Sequence, residues 1–579
     1  MEAEVHQLDP ERGLPRVNLQ SRTAGLVLLG FAMAGSIALL LWVLHNAPFV
    51  EDEWGLLVRA QDASLRDVFV PWNGHLLAVG ILIAKLSIAL VGSQIWLLVA
   101  LDIAGVIACS ALVYGFARSR LGPVLAVAPA LVPLFFSGTS IFYGTGIQLT
   151  PLLGINGIYS LDFGLAALFL VARERRRDDL LAAAMLTLSL ASFSYGLAFA
   201  VGVAVAVLLS PGRWRRSFVV LAPLALYCVW LVWMKDQRTG ASALVVENVP
   251  LVPLYIADSL AAVSAGLFGM QTLVGRGPAV IFAAQESTFS SFSFPLVLIS
   301  AEVAVIVLAA RALGRRGLAR PSLWPPIATL AAMWTSQGLV LNAVSRMPGD
   351  PRYLFAGAVL LVIVVAEVVR GFRFSRFATI AILIAAMIGA VANVPRFREG
   401  KQLNDYERQV TRASAAMIEL AGKHADPTFV PGQDLPEVSR TMWITAGAYL
   451  DFAARHGSMA ESLGELQAAD SKIRSAADRV LIKALDLRLR PGTRSGTNCR
   501  RLRVGSELRL PFGIASIHSS RSSRLALRRF GEKAIPVATI AGNQVGQLYL
   551  PPDRAAETPW VLSADGSTPV VVCPPPPRR

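Results

Sequence analysis

Three carboxylates stand in a row in this sequence, Glu51, Asp52 and Glu53, with Trp54 directly behind them and an apolar run from Ala24 to Val43 in front. Adjacent like charges repel, and a carboxylate beside hydrocarbon is costly to desolvate, so something must compensate the trio. One reading is a solvated loop at a membrane interface, with Trp54 as a belt aromatic. The other is chemistry: partial burial raises a carboxylate's pKa and makes it a better general base, and the same groups could ligate a metal. Downstream, Pro71-Trp72-Asn73-Gly74-His75 and Lys85 supply polar groups, and the turn Ser345 to Tyr353 supplies Arg346, Asp350, Arg352 and Tyr353. The cationic members could bind a phosphate; they could equally be lysine and arginine snorkelling to lipid headgroups. Asp162, in Ser160-Leu161-Asp162-Phe163, is a candidate second acidic site or metal ligand.

The elements that must position these groups are membrane helices. The chain has 579 residues, of which 54% are hydrophobic and only 16% charged, against about 25% charged in an average globular protein. The mean hydropathy is +0.53. A soluble enzyme and a disordered scaffold are both excluded. About eleven apolar runs approach the length needed to cross ~30 Å of hydrocarbon. They begin with Ala24 to Val43 and Gln94 to Phe116 and continue over 122–138, 157–172, 180–194, 197–210, 217–234, 293–312, 324–342, 353–369 and 377–394. Leu76 to Val91 is read as a helix lying on the outer face, because counting it as a span would put Arg118, Arg120 and the Arg173–Arg177 block outside. Val249 to Met270, broken by Pro250, Pro253, Asp258 and Gly266, is read as interfacial or re-entrant.

This arrangement gives a cytoplasmic segment 1–23, a membrane domain 24–394 with an outer acidic loop 45–93, and an extracytoplasmic tail 395–579. The tail shows helical periodicity within 400–490, in Leu403 to His424, Pro436 to His456 and Leu463 to Leu487. It turns to short strands over 495–575, which predicts a small β-sandwich. Cys499 and Cys573 bracket the last strand-like segment and are expected to form a disulfide if the tail lies outside the cytoplasm. Trp560, Tyr549 and Gln547 could contact a sugar or simply belong to a structural cap. The net charge of +15 divides between basic cytoplasmic loops and the tail, so it indicates topology and anionic headgroups, with no nucleic-acid partner.

An acidic group just after the first span, then interfacial helices, many spans and a C-terminal extracytoplasmic domain resemble the GT-C superfamily of membrane glycosyltransferases. The stretch Pro71-Trp72-Asn73-Gly74-His75-Leu76-Leu77 with Lys85 also resembles a group of uncharacterised bacterial multi-pass membrane proteins. The GT-C resemblance implies an inverting transfer of a sugar from a polyprenyl-phosphate donor to a cell-envelope acceptor on the outer face of the plasma membrane. Asp52 or a flanking Glu51 or Glu53 would be the base. His75, Lys85, Arg346 and Arg352 would meet the lipid phosphate, with Asn73, Tyr353 and Asp162 also at the substrate.

Many members carry a second acidic motif in the next outer loop, but 137–160 has no acidic residue here. Asp162 is the nearest substitute, and a divalent cation, Mg²⁺ or Mn²⁺, is left open. Two other readings stay open as well: a transporter or flippase of lipid-linked glycans, suggested by Asp102 and Glu302 within apolar segments, and a non-catalytic envelope-assembly protein. Glu367 has a structural reading, since it is placed for an (i, i+3) pair with Arg370.

Overall fold

The computed structural model describes residues 21–137, 150–237, 245–269, 320–340, 348, 350–435, 442–493, 498–566 and 568–575. Short turns aside, its helices are α1 (Arg22–Leu44), α2 (Asp52–Asp62), α3 (Ala78–Val91), α4 (Trp96–Leu121), α5 (Val127–Phe135), α6 (Pro151–Val171), α7 (Arg176–Ser192), α8 (Tyr195–Leu208), α9 (Phe218–Trp233), α10 (Val252–Leu267), α11 (Trp324–Leu339), α12 (Pro351–Val368), α13 (Arg376–Ala421), α14 (Ala446–His456), α15 (Leu463–Ala468) and α16 (Ser471–Ala484). Among the described residues, six helical runs are long and apolar enough to cross a membrane: α1, α4, α6, Arg213–Trp233, Val246–Leu267 and Arg376–His424.

Three sequence expectations change. Val246–Leu267 is one helical run of spanning length, which Pro250 and Pro253 do not break: Pro250 lies in the opening 3₁₀ segment, and Pro253 in the first turn of α10, where a missing N–H removes no helical bond. The run expected over 122–138 is helical only as α5, nine residues long. At 1.5 Å per residue that is about 14 Å, too short to cross. Pro123 and Pro129 flank or enter it and Pro133 lies inside it, each removing a backbone donor. The helix that carries the run 377–394 continues beyond it: α13 runs 46 residues through Pro395, roughly 69 Å. The expected span 293–312 lies outside the described residues.

The tail ends in two antiparallel sheets, β1-β7-β4-β9-β2 and β3-β8-β5-β6. These are β1 (Arg490–Pro491), β2 (Arg500–Leu502), β3 (Glu507–Leu510), β4 (Gly513–Ser519), β5 (Ser523–Arg528), β6 (Ile535–Ile540), β7 (Gln544–Leu550), β8 (Trp560–Gly566) and β9 (Val570–Cys573). Strand alternation turns Leu548 and Leu550 inward from one sheet and Leu525, Leu527, Trp560 and Leu562 from the other, all buried. Cys499 and Cys573 are disulfide-bonded.

One apolar core then joins this tail to the acidic loop. Phe49, Trp54, Leu56 and Leu57 share a buried cluster with Val410, Met442, Tyr449 and Phe452. The N-terminal half of α13 presents Ile384, Met387, Ile388 and Val391 outward, as a lipid-facing surface would. Its C-terminal half buries a stripe of small and polar groups, Gly400, Asn404, Glu407, Thr411 and Ser414, spaced three or four residues apart. A single rod therefore carries the chain from the membrane helices into the tail.

Candidate functional site

The acidic trio occupies the turn that opens α2. Val50 N donates to Glu53 Oε2 at 3.1 Å, and Glu53 N donates to Val50 O at 2.8 Å. This is the reciprocal logic of a capping box. Closing so tight a turn puts Glu51 at φ 42°, ψ −117°, a conformation that a residue with a Cβ adopts only at a cost of about 1–3 kcal/mol. A parallel bridge from Glu51 to Met442 of the tail secures that strained residue.

The three carboxylates part company from there. Glu53 is fully buried, and its Oε1 accepts Leu152 N at 2.7 Å and Leu153 N at 3.1 Å. It thus caps the first turn of α6, where N–H groups have no helical partner and the helix dipole favours an anion. Burial pushes Glu53 up to about 7 despite those three donors, and the neighbouring Glu407 charge pushes the same way. Asp52, half-buried, accepts Asn73 Nδ2 on Oδ2 at 2.9 Å.

Asn73 reaches Asp52 because of its own turn. Trp72 and His75 exchange backbone hydrogen bonds of 3.0 and 2.8 Å. Asn73 at φ 47° and Gly74 at φ 79° lie between them. Two positive φ values in succession define a type I′ turn, which Asn-Gly adopts most easily. The Trp72 ring lies over Gly55 of α2, where an added Cβ would stand 2.2 Å from Trp72 Cη2. The same turn brings His75 against Phe193, ring centroids 4.7 Å apart. Gly55→Ala should favour the helix by propensity yet push Trp72 off α2 and break the Asn73–Asp52 contact; faster amide exchange in 71–76 would report it, and unchanged exchange would refute it.

Trp54 is not a belt residue. It is fully buried, edge-to-face with Tyr449 at 5.7 Å and Phe452 at 6.2 Å. Arg455 of α14 pairs with Asp62 at the far end of α2 at 2.8 Å, and Ser93 N donates to His456 O at 3.2 Å. The tail helix therefore lies along α2, roofing the acidic turn.

Other expected site residues are elsewhere. Lys85 Nζ donates to Ala63 O, capping the C-terminus of α2, about 16 Å along the helix from Asp52. Asp162 is not at a helix head: α6 starts at Pro151, so Asp162 lies roughly 16 Å in, buried and hydrogen-bonded by Cys109. Arg346 and the Arg352 side chain lie outside the described residues, as does Glu302. Tyr353 and the buried Asp350 begin α12. Asp102 is buried in α4, close enough to Glu53 for their charges to interact. Glu367 is an ion-pair hub for Arg120 and Arg370.

The open question of a divalent cation meets a poor donor set. No three His, Cys, Asp or Glu side chains among the described residues lie where they could share a metal ion. Glu53 already accepts two N–H bonds on one oxygen and one on the other, and Asp162 lies about three turns farther along α6 from the N–H groups that Glu53 caps. Glu407 is the group that sequence reading missed; the polar stripe on α13 was its only signal.

Among solved structures the chain is similar to the archaeal oligosaccharyltransferase AglB from Archaeoglobus fulgidus, in complex with an inhibitory peptide and a dolichol-phosphate, at 14% identity and a TM-score of 0.39, with 80% of this chain and 69% of that chain covered. No family model and no curated protein matches the chain.

Proposed function

We propose that this chain is a GT-C-like glycosyltransferase that moves a sugar from a polyprenyl-phosphate donor to a cell-envelope acceptor, with Asp52 as general base. The observation that carries this reading is the division of labour in the acidic turn. The Glu53 carboxylate is spent on holding the turn, the Glu51 backbone is tied at a strained position to Met442, and Asp52 is a half-buried carboxylate steered by Asn73. In the proposed step the acceptor hydroxyl oxygen attacks the anomeric carbon from the face opposite the phosphate, and its proton passes to Asp52. The anomeric C–O bond breaks with its electrons going to the phosphate oxygen. Polyprenyl phosphate leaves as a stable anion, so no second carboxylic acid is needed to protonate it, and the sugar is inverted. His75 beside the turn, with Arg346 and Arg352, is proposed to meet the phosphate.

The placement of this turn on the outer face is part of the proposal. Its support is the tail disulfide, which persists in oxidising compartments, and the arginines Arg118, Arg120, Arg173, Arg175, Arg176, Arg177, Arg370, Arg373 and Arg376, which cluster at the opposite helix ends. For the lipid tail, an apolar cavity of about 420 Å³ runs along α13 beside α5 and α12, between Ile382 and Asn393. It is separate from the acidic turn, and only a long flexible chain would engage both.

A transporter of lipid-linked glycans is the second reading, favoured by Asp102, whose two oxygens are buried without a hydrogen-bond partner among the described residues. One reconstitution separates the two. Proteoliposomes loaded with a lipid extract rich in polyprenyl-phosphate sugars should release polyprenyl phosphate and glycosylate envelope acceptors. Movement of intact lipid-linked sugar across the bilayer without cleavage would overturn the transferase.

A further inference from the structure

We infer that Glu53 is a positioning residue: its buried carboxylate is a latch that closes the acidic turn, clamps it to the first turn of α6, and by doing so holds Asp52 in place against Asn73. This inference rests on the reading of Asp52 as base, and it goes beyond that reading by giving the neighbouring acid a role that involves no contact with substrate.

Three backbone donors from two distant parts of the chain converge on one side chain. Val50 N meets Oε2, while Leu152 N and Leu153 N meet Oε1. The Val50 contact closes the four-residue turn in which Glu51 and Asp52 are the two central residues. The Leu152 and Leu153 contacts fix that turn to a membrane-spanning helix. Glu53 carries no exposed surface, so a substrate hydroxyl could not reach it. Trp54 follows immediately, and its ring is gripped by Tyr449 and Phe452, so the latch also sets where the tail meets the membrane domain.

The latch titrates. Burial and the Glu407 carboxylate of α13 both disfavour the charge on Glu53; α6 presents its N–H groups to it, and Asp102 of α4 is the other acidic neighbour. An opened turn returns Glu53 to water and to its ordinary value of 4.5, so protonation favours the closed turn and ionisation favours opening. Burial brings Glu53 to about 7, which places the change close to neutrality.

Hydrogen exchange read by mass spectrometry on the full chain in lipid nanodiscs tests this without any substrate. Between pH 8 and pH 6, after correction for intrinsic exchange rates, protection in the wild type should rise about tenfold as the ionised fraction falls across a pKa near 7. The rise should appear in the peptides covering 50–53 and 151–156, and also in 71–76, the Asn73 turn. A carboxylate that merely capped α6 would move the first two and leave 71–76 unchanged. Glu53→Gln should remove the pH response in all three, whereas Asp52→Asn should keep it in 50–53 and 151–156. A flat wild-type profile overturns the latch even if Glu53→Gln cannot be purified. So does a response confined to 151–156, or one abolished in 50–53 by Asp52→Asn. None of these outcomes touches the transfer assay, so the latch can fail while the base assignment stands, and the reverse.

Discussion

Asp52→Asn should lower sugar transfer by a factor of 10² to 10⁴, the usual scale for removing a positioned general base, while leaving the fold and its thermal melting unchanged. The substitution is nearly isosteric. The amide oxygen of the new Asn can still accept from Asn73 Nδ2, which now stands 2.9 Å from Asp52 Oδ2, so the type I′ turn keeps its partner. The capacity to take a proton is lost. The measurement is polyprenyl-phosphate release in proteoliposomes beside a melting curve of the same preparation. Glu51→Gln is the informative comparison, because Glu51 holds its place through a strained backbone and the bridge to Met442, neither of which requires a carboxylate. If Glu51→Gln abolished release and Asp52→Asn did not, the base would be Glu51. If neither mattered, the glycosyltransferase reading would fall with them.

The features legible in the sequence were those whose causes are local. The Asn73-Gly74 turn, although not anticipated, carries a local signature, since few other pairs accept two positive φ values. The strands from Glu507 onward follow from alternation over a few residues, and α1 and α4 from unbroken apolar length. Features set by distant partners were not legible. Glu53 looks no different from Glu51 until α6, about one hundred residues later, brings two unpaired N–H groups to it. Trp54 reads as an interfacial aromatic unless Tyr449 and Phe452 are known to enclose it. Lys85 reads as a phosphate ligand because spacing cannot say which end of α2 it will meet. The continuity of the helix past Val394 was not legible for a different reason: a proline such as Pro395 commonly interrupts a helix, but here both flanking segments pack as one rod, and the packing outweighs one lost hydrogen bond.

These long-range contacts make one argument about the site. Three acids side by side are dealt with differently: one is buried under backbone donors, one is held at a strained backbone position bridged to Met442, and one is steered by an amide. Removing residues 442–452 would remove Met442, Tyr449 and Phe452 together, so the acidic turn would lose both its bridge at Glu51 and the rings that enclose Trp54.

The buried acid should also leave a signature on stability. The folded protein holds Glu53 at about 7 against an ordinary value of 4.5, and the sign follows from proton counting. Below pH 4.5 the group is protonated both folded and unfolded. Between 4.5 and about 7 the unfolded chain gives up its proton while the folded chain keeps it, so folding stability falls as pH rises. Above about 7 both states are ionised and the loss is complete. A shift of that size corresponds to a loss on the order of 3 kcal/mol across the window. Denaturation of the full chain between pH 4.5 and 8 should therefore show wild-type stability declining relative to Glu53→Gln, whose side chain does not titrate. Parallel profiles would mean that Glu53 is not buried as an acid. Glu407→Gln should move the midpoint of the decline downward by removing the charge that faces it. The local and the global sign agree: protonating Glu53 favours both the closed turn and the folded chain.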